Sequence, residues 1–202
     1  MKWSAVFAVT ILAVFFLCLP ITSYSEPEAR VLPRTLDQLA DESETIVHGY
    51  IVSTQFEPHP QLKNLMTVVV TMTVTETYKG AKRTSLVFRQ YALDAGQMRG
   101  SSGYSKAQEV ILFLRPISQY GLTSPAGLEQ GRFNVLTDRR TGQKVAVNGR
   151  ANAGLFKHFE EHAIARNLTL SPRLKNIVNA PTSGPVPLKD LKMMINGLVG
   201  AK

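Results

Sequence analysis

Hydrophobic and polar positions alternate most clearly between Leu65 and Tyr78, where Met66, Val68, Val70, Met72 and Val74 occupy the even positions and Thr67, Thr71, Thr73 and Thr75 fall between them. Period-two alternation of this length predicts one long strand with a single buried face. Lys79-Gly80 ends it with a turn. Before it, Thr45–Ser53 is rich in β-formers, with Gly49 marking a bulge or bend, and residues 57–64 read as a loop with two prolines. After it, Ser85–Gln90 is a third strand. Glu109–Leu114 is a strand with an unbroken apolar run, so both of its faces are expected to be covered. A further short strand is predicted over Gln119–Ser124. Arg132–Leu136 and Gln143–Val147 form a hairpin whose turn carries Gly142 at a positive φ.

Helical spacing occurs at three places. Thr35-Leu36-Asp37-Gln38 fits a capping box at the start of a short helix over 36–43. Leu155–Asn167 places Leu155, Phe156, Phe159, Ala163 and Ile164 at helical intervals, and Leu188–Leu198 does the same with Leu188, Leu191, Met194, Ile195 and Leu198. Between them, Asn179–Pro187 holds three prolines and a glycine and reads as a linker. Strands segregated from helices predict an α+β, mainly β chain. The expectation is a small antiparallel OB-like barrel of about five to six strands over 26–150, with a short N-terminal helix and a helical C-terminal extension over 151–202.

The N-terminus changes the picture of where this domain works. Lys2 precedes an uncharged apolar run from Ala5 to Leu19, which Pro20 ends and Ser23-Tyr24-Ser25 follows. The run is short of the roughly 20 residues a membrane span needs. It predicts a cleavable signal peptide over 1–25 and a periplasmic or secreted product. An uncleaved anchor, or a lipoprotein built on Cys18, fits less well, since Leu17 is not small and Cys18 lies inside the apolar core. Cleavage would remove the only cysteine, leaving a fold that stands without disulfides. The formal net charge is +8, and its basic residues are scattered along the chain. Outside a cell, such a surface meets acidic polysaccharide or lipid head groups, and no nucleic acid is expected.

The middle of the chain also resembles a known group. The segments "LADESETIVHGYIVS", "TVVVTMTVTETYKG" and "EVILFLRP", and the terminal "GPVPLKDL", are similar to a widespread set of exported bacterial proteins, which are similar in turn to the netrin-like and TIMP-like OB-fold domains. The resemblance covers residues 36–136, about half the chain. It implies the barrel and no activity, because Gly49, Lys79-Gly80, Glu109 and Leu112-Phe113-Leu114, which carry it, are structural positions. Inhibitors of that superfamily use an N-terminal cysteine, which a processed chain here would lack.

The chemistry-bearing motifs are few. His158-Phe159-Glu160-Glu161-His162 satisfies the inverted zinc-protease pattern H-x-x-E-H, with two histidines one helical turn apart. After His162, however, Asp190 is the only acidic residue available as a third ligand. The expected reading of His158, Glu161 and His162 is therefore the polar face of a helix, with no metal, and a zinc hydrolase is the alternative. His48 and His59 read as packed or surface histidines. Ser101 and Ser102 lack the nucleophile-elbow pattern. No dinucleotide or phosphate-binding glycine loop is present, so no cofactor is expected. The glycine-rich loop over 91–107 is the remaining functional candidate, because OB-type barrels bind through long loops at one mouth. Its contact candidates are Tyr91, Asp94, Gln97, Arg99 and Tyr104. The expected function is non-enzymatic binding or assembly in the cell envelope. The expected partner is an envelope or secreted protein, with anionic polysaccharide or lipid head groups as the alternative.

Overall fold

The computed structural model describes residues 32–92, 103–180 and 183–200. In chain order its elements are α1 (Leu36–Glu42), β1 (Thr45–Pro58), β2 (Met66–Lys79), β3 (Ser85–Tyr91), β4 (Glu109–Leu114), a 3-10 turn (Leu128–Gly131), β5 (Arg132–Thr137), β6 (Lys144–Asn148), α2 (Phe159–Ala165), α3 (Pro172–Val178), β7 (Val186–Pro187) and α4 (Leu188–Gly200). The strands form one seven-stranded antiparallel sheet in the order β3-β2-β1-β4-β5-β6-β7. No described helix is long and apolar enough to cross a membrane.

The chain is mainly β, as expected, and where the sequence reading has a small barrel the structure has an antiparallel sheet that does not close. β5 pairs with β6 and β6 with β7, so no strand ladder returns to β3. Instead Thr123 donates one backbone hydrogen bond to the Arg89 carbonyl at 2.9 Å. Two separate cores lie on the two faces. One joins Val47, Ile51, Val68, Val70, Met72, Leu86, Phe88, Val110 and Leu112 and contains no helical residue. A sheet face buried without a covering layer has to curl over itself, and three register shifts in the β1–β2 ladder supply the bend. The other core joins Ile46, Ile111, Phe113, Phe133 and Ala146 to α1, α2, α3 and α4. The C-terminal helices thus share one core with the sheet.

Gly49 is required at one of those shifts. A Cβ there would lie 1.9 Å from the Thr73 carbonyl oxygen. Three buried amides tie the loops together. Gln130 accepts from Arg34 N–H at 2.7 Å and donates to the Leu32 carbonyl at 3.1 Å. Asn148 donates to the Gln130 carbonyl at 3.1 Å, and Asn152 to the carbonyls of Ala146 and Gly184 at 3.0 and 2.9 Å. Every partner is a main-chain group, so these side chains satisfy loop backbone that cannot reach water.

Three other elements differ from expectation. Residues 119–124 form a turn through Gly121 and not a strand; the only pairing nearby is a single bridge between Leu114 and Pro125. The helix expected from Leu155 begins only at Phe159, because Asn152 and His158 sit at φ +59° and +56°. The expected linker contributes β7, two residues paired with Val145 and Ala146. Helix α3 has its signal in Ser171-Pro172, where the Ser171 hydroxyl caps Leu174 N–H and proline takes the first helical position.

Replacing Gly49 with alanine is expected to lower the stability of the fold by at least about 2 kcal/mol. Gly142→Ala, in open space at φ +70°, should cost about 1 kcal/mol. Urea unfolding midpoints of the two variants test the order.

Candidate binding site

The end of the sheet where β1 turns into β2 is held by His59. Its Nδ1 accepts from the main-chain N–H groups of Gln61 and Leu62 at 3.2 and 3.0 Å, which leaves its proton on Nε2, donated to the Tyr120 carbonyl at 2.7 Å. One buried imidazole thus fixes the hairpin tip against the loop that follows β4. Arg89 adds a second fastening: its guanidinium donates to Thr67 Oγ1 at 2.7 Å and to Glu57 Oε1 at 2.5 Å, linking β3, β2 and β1. On this rigid end three large side chains face solvent: Tyr91 (48% exposed), Tyr120 (46%) and Leu62 (40%). Tyr91 pairs with Thr67 in the β2–β3 ladder.

Of the predicted contact residues, Tyr91 is on this surface. Asp94, Gln97 and Arg99 lie outside the described residues. Tyr104 is in the core, 5% exposed. Its ring meets Phe88 edge-on at 6.0 Å, the Arg132 guanidinium lies 4.8 Å from its centroid, and its hydroxyl donates to Gln90 Oε1 at 3.2 Å. Burial pushes its phenol well above the ordinary range, outweighing the pull of Arg132. A ring so enclosed anchors the loop's return and offers no contact area. Leu62 and Tyr120 escaped the sequence reading because nothing in the pattern says that two separate loops meet through a histidine.

A second polar centre lies on the helix-covered face. His48 is buried on β1; its Nε2 is 2.9 Å from Glu109 Oε1 on β4, and its Nδ1 is 3.4 Å from Glu76 Oε1 on β2. Lys144 of β6 donates to Glu109 at 2.6 Å, and Lys192 of α4 donates to Glu76. The result is an alternating chain, Lys144–Glu109–His48–Glu76–Lys192. Partial burial raises the Glu109 carboxyl, but hydrogen bonds from Lys144 and His48 outweigh it and hold the group below the usual carboxylate range. The nearby Thr75 hydroxyl donates to the His48 carbonyl at 3.1 Å. This arrangement ties α4 and β6 to the centre of the sheet. In the sequence His48 and Glu109 read as separate structural residues; their register across β1 and β4 is what joins them.

The side chains of the zinc-like segment turn to separate partners. His158 lies outside α2 at its N-cap, with Nδ1 3.3 Å from Glu161. His162 Nδ1 is 2.9 Å from Asp37 of α1, and Glu160 pairs with Lys175 of α3 at 2.9 Å. Among the described residues, no three His, Cys, Asp or Glu side chains gather closely enough to hold a metal ion.

Comparison with known proteins adds nothing to this geometry: no family model, no curated protein and no solved structure matches the chain.

The Glu109 carboxyl gives a signed expectation. A carboxyl held below its unfolded value of 4.5 stabilises the fold above that pH, and the contribution is lost as pH falls through the lowered folded value. Unfolding midpoints measured between about pH 6 and about pH 2 should fall on acidification, and in Glu109→Gln they should fall less over that interval.

Proposed function

We propose that this chain is an exported, non-enzymatic binding module of the cell envelope, periplasmic or secreted after loss of residues 1–25. It engages another protein at the end of the sheet that carries Tyr91, Tyr120 and Leu62. The observation that carries this reading is the exposure of three large apolar side chains on backbone that His59 and Arg89 hold rigid. Tyrosine gives wide contact area at little entropy cost, which suits an interface anchor. The edge of β3 adjoins the same end. Ala92 N–H bonds Met66 O and Val74 N–H bonds Thr84 O, so the even-numbered residues face β2. Ser85, Val87 and Tyr91 therefore turn their main-chain groups outward, where an extended partner segment could pair.

The finer fold assignment belongs to the same proposal. We read β1 to β5 as an OB-like barrel of the netrin-like kind, left partly open. The neighbour order β3-β2-β1-β4-β5 and the self-enclosed core support it. The non-enzymatic reading is supported by His48, which is buried with both ring nitrogens facing its own neighbours.

Affinity capture from envelope extract tests the function. A single protein retained through a high-salt wash is expected. The double variant Tyr91→Ser/Tyr120→Ser should lose it by about 30-fold or more, the scale of a hot-spot pair, at unchanged melting temperature. Capture of anionic material alone, released by salt, would overturn the proposal in favour of polymer or lipid binding through the basic surface.

A further inference from the structure

Helices α3 and α4 meet β6 around a cleft of about 670 Å³ on the covered side of the sheet, away from the Tyr91 end. Four basic side chains line it, Lys144, Arg173, Lys189 and Lys192, against one carboxylate, Glu76, and together with apolar Pro187 and Met193. Lys144 and Lys192 are already paired with Glu109 and Glu76. Arg173 and Lys189 are different.

Arg173 donates through Nε and one Nη to the two oxygens of Asp190 at 2.9 and 2.8 Å. Asp190 is fully buried, whereas Arg173 is largely exposed. Burying a carboxylate to join two helices is costly, and an apolar pair of similar size would join them as well. What the ion pair adds is orientation. The guanidinium is clamped on one edge, and its remaining donors stay directed away from Asp190 at the lip of the cleft. Lys189 precedes Asp190 in the first turn of α4, is exposed, and makes no ion pair among the described residues. A pre-set guanidinium edge beside an uncompensated ammonium is the donor arrangement that a phosphate takes up, since its several oxygens can use both groups at once. Pro187 and Met193 supply an apolar wall for the carbon body that carries it.

We infer that this cleft is a phosphate-binding site, with Arg173 and Lys189 as the recognising residues, for a phosphate group carried on a small organic body or on a lipid head group. The site is separate from the tyrosine end and does not depend on the function proposed for it.

The test is calorimetric titration of the purified protein with glycerol 3-phosphate, and flotation with vesicles of phosphatidylglycerol in phosphatidylcholine, at low and raised salt. Saturable glycerol 3-phosphate binding identifies a soluble ligand; vesicle binding without it identifies the head group in a membrane. In either arm Lys189→Gln should weaken binding at least fivefold. Arg173→Lys, which keeps a cation on Asp190 but removes the fork, should weaken it at least tenfold, with the unfolding midpoint of Lys189→Gln unchanged. Lys63→Gln, on the β1–β2 hairpin at the opposite end of the sheet, should bind as the parent does. Absence of binding in both arms, or equal loss in Lys63→Gln, overturns the assignment.

Discussion

The ladder between β1 and β4 is the constraint on which the rest depends. Thr45 to Tyr50 pair residue for residue with Leu114 to Glu109, and both faces of this ladder are buried. Ile46, Ile111 and Phe113 point into the helix-covered core, while Val47, Val110 and Leu112 point into the curled one. A slip of one residue would exchange the two sets and ruin both cores together, so this register is fixed far more firmly than that of a sheet with one wet face. Strands β2 and β3 extend from one side of this wall, and β5 to β7 from the other.

Electrostatics follow from the same placement. The helix-covered face of β1 runs from Ile46 through His48 to Tyr50, and therefore from dry core to rim within one strand. His48 falls where the helices stop covering the sheet. A histidine there has to be satisfied from neighbouring strands, and Glu109 and Glu76 sit beside it in register. Each carboxylate in turn draws a lysine, Lys144 from β6 of the same sheet and Lys192 from α4 of the covering layer. The polar chain is thus the border of the helix-covered core. Wherever the sheet is left uncovered, as at the hairpin tip and β3, the side chains are free to meet other molecules.

Much of this was legible from periodicity. Val68, Val70, Met72 and Val74 of β2 are buried, as alternation requires, and the unbroken apolar run of β4 announced its two covered faces. The need for glycine at position 49 was visible, though not its cause, the approach of the Thr73 carbonyl. What stayed hidden depends on contacts distant in sequence. Whether the sheet closes depends on which strand β5 joins, and a hairpin with β6 satisfies it locally. Tyr104 lies in a glycine-rich loop and looks exposed, but Arg132 and Phe88 enclose it from strands on either side of that loop. His162 looks like a ligand beside His158 until α1 brings Asp37 to it. In each case the deciding fact is a tertiary neighbour.

The central claim is that the end of the sheet fixed by His59 is the docking surface. Site-specific photocrosslinking tests it most directly. A photoreactive side chain would be placed at Tyr120, and for comparison at Leu136, which is exposed on the β5–β6 hairpin. After illumination in envelope extract, the account predicts one discrete protein adduct from position 120 and none from position 136. Adducts of equal yield at both positions, or none at 120, would contradict it.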